Sequence, residues 1–212
     1  GCAKPINDET LIDKDGLKYR PDTNELYSGK VFKNRMGGKK EFEGSYKDGK
    51  KDGLWTDYYK NGQKRSVKTY KDGRKDGLYN YWHEDVLMYE GTYKEGKENG
   101  LWTKWYVNGQ KNWEGTYKGG QTVNGLWTRW YENGQKNYEG TSKNGKEEGL
   151  WTWWYENGQK MTVRTYKVGK EDGLSTGWYD NGQKKSEATF NDGKLMNSEK
   201  CWDKDGIEKE CE

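Results

Sequence analysis

A Gly-Leu pair recurs at Gly53, Gly77, Gly100, Gly125, Gly149 and Gly173, at steps of 24, 23, 25, 24 and 24 residues. At the same step, Gly29 precedes the first and Asn197 follows the last. Self-similarity at a fixed period of roughly 20 to 50 residues marks a repeat array, in which each unit buries its apolar surface against its neighbour. The chain is 29% hydrophobic and 34% charged, a balance that normally reads as disorder. Twelve tryptophans and 17 tyrosines argue the other way, because they recur at fixed places in the unit and bring large areas to bury.

The unit starting at Gly100 shows the pattern. Leu101-Trp102-Thr103-Lys104-Trp105-Tyr106 alternates and is rich in aromatics and threonine, which is strand chemistry. Asn108-Gly109 follows, as Asn61-Gly62, Asn133-Gly134, Asn157-Gly158 and Asn181-Gly182 do in other units. Asn-Gly between alternating runs is a strong hairpin signal, and predicts a type I′ turn with positive φ at both residues. A second strand leads to a second turn at Asp48-Gly49, Asp72-Gly73, Glu95-Gly96, Gly119-Gly120, Asn144-Gly145 and Asp192-Gly193. The expected fold is all-β: an elongated single-layer antiparallel β-meander of about eight stacked hairpins. Residues 1–28 read as a tether and leading hairpin, 29–196 as seven repeats, and 197–212 as a capping hairpin. Were Cys2 to carry lipid, residues 2 to about 10 would be the tether. The third unit has His83, Glu84 and Asp85 where others have Tyr-x-Asn-Gly, with one residue fewer. A distorted or longer turn is expected there.

A two-residue turn at Asn108-Gly109 sets Tyr106 opposite Lys111, Lys104 opposite Trp113 and Trp102 opposite Gly115. Directly paired residues share a face, and a tryptophan ring can lie over a bare glycine backbone. One face then carries Trp55, Trp102, Trp127 and Trp151 with Tyr106, Tyr131 and Tyr155. The opposite face carries the candidate binding row Tyr58, Trp82, Trp105, Trp130, Trp154 and Trp178. Strands lie about 4.8 Å apart, so equivalent rings recur about every 10 Å. A row left uncovered suits a protein surface, the flat face of a sugar, or a quaternary ammonium held by cation–π contact.

The wording Gly-Leu-Trp-Thr-x-Trp-Tyr-Glu-Asn-Gly-Gln-Lys-x-x-Glu-Gly-Thr-Tyr resembles the bacterial variant of the MORN repeat, over residues 29 to about 208. The resemblance implies an antiparallel repeat ribbon and a scaffolding or self-associating role, with phospholipid contact less firmly attached. Bacterial proteins of this kind are also labelled as antitoxins, and some are surface lipoproteins. Three readings stand: a non-catalytic envelope scaffold binding a protein or itself, a glycan- or choline-binding module, and an antitoxin or immunity protein.

No cofactor or metal is expected. The net charge of +3 comes from interspersed Lys, Asp and Glu, unlike the clustered basic face of nucleic-acid proteins. His83 is the single histidine and reads as a structural substitution for tyrosine. Glu43, Glu90, Glu114 and Glu139 read as members of cross-strand charge pairs, since Val67 and Val163 occupy the same place. Cys201 and Cys211 flank the Asp203-Lys204-Asp205-Gly206 turn signal and are a candidate disulfide, which would imply an oxidising compartment. Gly1-Cys2 resembles the processed start of a bacterial lipoprotein, making Cys2 a candidate lipidation site. The expected location is the cell envelope, with the cytoplasm as the alternative if Cys2 carries no lipid.

Overall fold

In a computed structural model, described for residues 4–122 and 124–211, the backbone is almost wholly antiparallel β. The one helical turn among the described residues is the 3-10 turn Asp8–Thr10. The chain divides into two compact units, Gly1–Trp102 and Thr103–Glu212. In the first, hairpins form from Gly29–Asn34 with Lys40–Lys47, Gly53–Tyr58 with Lys64–Lys71, and Arg74–His83 with Val86–Lys94. Successive hairpins also pair, through Phe42 with Asp57 and Ser66 with Tyr81. In the second, Lys111–Lys118, Gly125–Trp130, Lys136–Lys143, Lys146–Trp154, Lys160–Lys167, Lys170–Trp178 and Lys184–Asn191 pair in chain order. Lys200–Trp202 and Glu208–Lys209 close it.

The start of the first unit is packed. Ile12–Lys14 and Leu17–Tyr19 form the expected small hairpin. Ile6 and Asn7, however, run parallel to Val31 and Phe32. Leu11 joins Tyr27, Val31, Tyr46 and Trp55 in a buried cluster, with Ile6, Phe42 and Tyr70 against it. The tether expected over residues 2 to about 10 therefore does not extend past Ile6, because the apolar side chains of this segment cover the open edge beside Val31.

The type I′ turn expected at Asn-Gly forms instead at the second turn of the unit. Positive φ at both central residues, the type I′ signature, occurs at Asp48-Gly49, Asp72-Gly73, Glu95-Gly96, Gly119-Gly120, Asn144-Gly145, Val168-Gly169 and Asp192-Gly193. At the Asn-Gly edge only the glycine is positive. There Gly109 N–H donates to Tyr106 O (3.0 Å) and Tyr106 N–H to Gln110 O (2.8 Å), a three-residue loop closed by a left-handed glycine. The asparagine is kept for its side chain: Asn108 Oδ1 accepts from Gln110 N–H (2.9 Å), and its amide donates to Glu132 O of the next hairpin (2.7 Å). Asn133 and Asn157 repeat both bonds.

The longer loop shifts the register by one, so Tyr106 faces Gln110 and not Lys111. A β-bulge then shifts it back. In the fifth hairpin Trp130 pairs with Lys136, Arg129 with Tyr138 and Trp127 with Gly140, with Asn137 extruded. The two offsets cancel, so a tryptophan still pairs with the glycine. The third unit shows the same economy. Its missing residue removes the loop glycine, leaving the two-residue turn Glu84-Asp85 between paired His83 and Val86. That turn is shorter than its counterparts, where a longer or distorted one was expected.

Candidate interaction surface

On one face four tryptophans each lie over a glycine. Trp55, Trp102 and Trp151 are buried and Trp127 is half-buried. A Cβ added to Gly44, Gly91, Gly115 or Gly140 would enter the ring of Trp55, Trp102, Trp127 or Trp151 respectively. The covering ring thus comes from the following hairpin: Gly115 lies under Trp127, not under the Trp102 with which it was expected to pack. Where the ring is absent the glycine is too, since Tyr79 faces Lys68 and Ser175 faces Arg164.

Neighbouring rings finish this packing. Tyr46 and Phe42 stand 5.1 and 5.5 Å from Trp55, and Tyr93 and Tyr79 5.1 and 5.5 Å from Trp102. Trp113 stacks on Trp127 at 6.0 Å and Trp153 on Trp151 at 5.9 Å. Three indoles donate to backbone carbonyls: Trp55 to Ser45, Trp102 to Thr92 and Trp151 to Thr141, at 3.0, 3.1 and 3.0 Å. Trp127 Nε1 is buried without a hydrogen-bond partner among the described residues. The Lys51 ammonium sits 4.2 Å over the Trp55 ring, and burial lowers its pKa. This face is closed on itself.

The opposite face is open. Leu54, Leu78 and Leu101 in the first unit and Leu126, Leu150 and Leu174 in the second are each 50–60% exposed. Beside them lie Tyr58 and Trp82 in the first unit and Trp105, Trp130, Trp154 and Trp178 in the second, all half-buried. Between leucine and tryptophan sits a threonine, buried at Thr56, Thr103, Thr128 and Thr176. A carboxylate roofs two of them: Thr103 donates to Glu114 (3.3 Å) and Thr128 to Glu139 (3.2 Å).

For Glu43, Glu114 and Glu139 the salt bridge lies within the strand, where a cross-strand pair was expected; Glu187 repeats the arrangement, and among the described residues Glu90 has no salt bridge. Lys40–Glu43, Lys111–Glu114, Lys136–Glu139 and Lys184–Glu187 are 2.5, 2.6, 2.6 and 2.7 Å apart. Residues three apart on a regular strand point to opposite faces; the bulge adds a residue and turns both to one face. The same lysines reach the next tryptophan, Lys111 over Trp130 at 5.4 Å, Lys136 over Trp154 at 5.6 Å and Lys184 over Trp202 at 5.2 Å. In the first unit Tyr58 donates to Glu43 at 2.5 Å. Burial, then this bond, pushes the Tyr58 phenol up to about 12. The bonds from Lys40 and Tyr58 hold Glu43 below the usual carboxylate range.

Sequence reasoning missed one role. Tyr106, Tyr131 and Tyr155 are staples between hairpins: their hydroxyls donate to Trp130 O, Trp154 O and Trp178 O at 2.9, 2.8 and 2.9 Å. The signal was present in the sequence as an invariable tyrosine two residues before each Asn-Gly. The opposite edge is stapled by a side chain 20 residues back, as when Asn124 Oδ1 accepts from Asn144 N–H at 2.8 Å.

Cys201 and Cys211 are joined by a disulfide, with Cα atoms 5.3 Å apart. Glu199 lies near them, but neither disulfide sulfur is a thiolate ligand. His83 is exposed at its turn. Cys2 lies outside the described residues. Among the described residues no helix is long and apolar enough to cross a membrane.

Residues 51–72, 123–144, 147–167 and 171–192 match the family model of the MORN repeat variant. Among curated proteins none matches the chain.

Proposed function

We propose that this chain, which carries MORN variant repeats, is a non-catalytic scaffold of the bacterial cell envelope whose leucine face docks a protein partner. One observation carries the reading: six leucines, at the same place in six successive hairpins, remain at least half exposed on the face its own rings do not close. Three such leucines lie in each unit beside half-buried rings, and exposed apolar surface of this kind marks interaction sites. The tryptophans of that face favour protein over sugar or choline. Lysines of the chain already sit over Trp130, Trp154 and Trp202, so a quaternary ammonium or a stacking sugar would have to displace them. The Cys201–Cys211 disulfide supports an oxidising compartment.

The test is capture from envelope extracts by wild type, by the triple variant Leu126→Glu/Leu150→Glu/Leu174→Glu, and by a turn control, Glu132→Lys. A partner held by wild type and by the control but lost from the triple variant is expected. Equal capture by all three would defeat the reading.

A further inference from the structure

At the Asn-Gly edge of the first unit the staples depart from tyrosine. Arg35 stands at the place of Tyr106, and its Nη2 donates to Tyr58 O at 3.2 Å, replacing the tyrosine bond. His83 stands at the same place two hairpins on. Tyr59 remains, its hydroxyl committed to Trp82 O at 2.7 Å. A cleft of about 590 Å³ opens among these residues, within the range of small-molecule sites.

Its walls have a definite chemistry. The Tyr58 and Tyr59 hydroxyls are both donated elsewhere, to Glu43 and Trp82, so these residues offer the cleft mainly apolar ring. Arg35, Lys60 and Arg65 supply positive charge against the single carboxylate of Glu84. Arg35 is incompletely satisfied: Nη1 is 3.8 Å from Glu41, and the buried Nε has no hydrogen-bond partner among the described residues. Among the described residues Lys60 and Arg65 have no acidic partner, and Arg65 stands 6.0 Å over the Tyr59 ring. In the second unit acidic residues follow three of the tyrosine staples, Glu132 after Tyr131, Glu156 after Tyr155 and Asp180 after Tyr179, and Val107 follows Tyr106. A basic, ring-walled cleft is a property of the first unit's departures from the repeat.

We infer that this cleft binds a small aromatic anion, a planar ring bearing a phosphate monoester or a carboxylate. The ring would pack against Tyr58 and Tyr59, and the anionic oxygens would take the guanidinium donors of Arg65 and Arg35 with the Lys60 ammonium beside them. Guanidinium forks suit such oxygens. The cleft shares Tyr58 with the leucine face and is lined by none of its six leucines.

The single histidine gives the test its reporter. The imidazole resonances of His83 are followed as phenyl phosphate, benzoate or inorganic phosphate is added to the full chain. Phenyl phosphate and benzoate are expected to shift them saturably, and inorganic phosphate to bind more weakly. Arg65→Gln and Lys60→Gln are expected to weaken phenyl phosphate roughly tenfold, the scale of a lost charge-assisted hydrogen bond. Lys185→Gln, in the second unit beside Tyr179, should change nothing. Arg35 is left intact because its staple to Tyr58 supports the fold. The inference is overturned if neither aromatic anion saturates by about 10 mM. It is also overturned if inorganic phosphate binds as well as phenyl phosphate, or if neither Arg65→Gln nor Lys60→Gln weakens binding.

Discussion

Leu150 and Trp151 are adjacent on one strand and point to opposite faces, and their environments differ completely. Trp151 is buried, lies over Gly140, touches Trp153 and donates to Thr141 O. Leu150 is 60% exposed. The difference teaches how a chain so poor in aliphatic residues divides its labour. Tryptophan and glycine from neighbouring hairpins close one face, and that face holds the repeats together. The other face keeps a leucine largely in water in six successive hairpins, a cost to solubility that the fold itself does not require.

Removing a ring breaks this contrast most directly. Trp151→Ala should cost about 3–5 kcal/mol, the usual range for an aromatic truncated in a packed core, read as a fall in the urea midpoint at unchanged slope. Gly140→Ala should cost about 1–3 kcal/mol, because its methyl meets the Trp151 ring and the sheet has no room to yield. A cheap Gly140→Ala would mean that the ring is not seated on the glycine. Trp151→Phe loses the indole bond to Thr141 O and should be about 1 kcal/mol worse than Trp127→Phe, since Trp127 Nε1 has no partner to lose.

Acid probes both faces of the first unit. On the tryptophan face, burial pushes the Asp57 carboxyl up, but bonds from Lys68 (2.7 Å) and Ser66 (2.6 Å) more than offset it and hold it low. On the leucine face Lys40 and Tyr58 hold Glu43 low. A carboxylate whose folded pKa is depressed adds stability that is present above its unfolded value and is lost as pH falls through the folded one. The thermal midpoint of the first unit should therefore fall as pH drops below the ordinary values of 4.5 and 3.8. Asp57→Asn should flatten that fall more than Glu43→Gln, because Asp57 is the less exposed of the two. The reverse order would place the stronger electrostatic hold on the open face.

The period, the two turns per unit and the split into two aromatic faces were legible because each depends on local pattern. Which ring covers which glycine was not, because that contact joins Gly115 to Trp127 across hairpins and a single hairpin read alone offers Trp102. It becomes legible when the units are set side by side: Gly44, Gly91, Gly115 and Gly140 precede a hairpin with tryptophan, whereas Lys68 and Arg164 precede Tyr79 and Ser175. The Asn-Gly turns were misread because Asn-Gly has two uses. The type I′ turn needs asparagine's tolerance of positive φ; here Asn108 supplies an acceptor to Gln110 and a donor to Glu132. The bulge at Asn137 has no signal in its own residues. It shows only indirectly, in Lys136 and Glu139 lying three apart and yet forming an ion pair.

The smallest expected effect on stability is the most informative about the open face. Leu150→Glu should change the urea midpoint by no more than about 0.5 kcal/mol, as surface substitutions do, although the next residue on the strand is worth several times that. Its cross-strand neighbour is Thr165, so the new carboxylate meets no like charge directly opposite and no desolvation. A larger loss would show that Leu150 is covered within the folded chain, and the contrast between the faces would collapse. A neutral midpoint combined with lost partner capture would separate the two roles in adjacent residues, Trp151 holding the array together and Leu150 left for what the array holds.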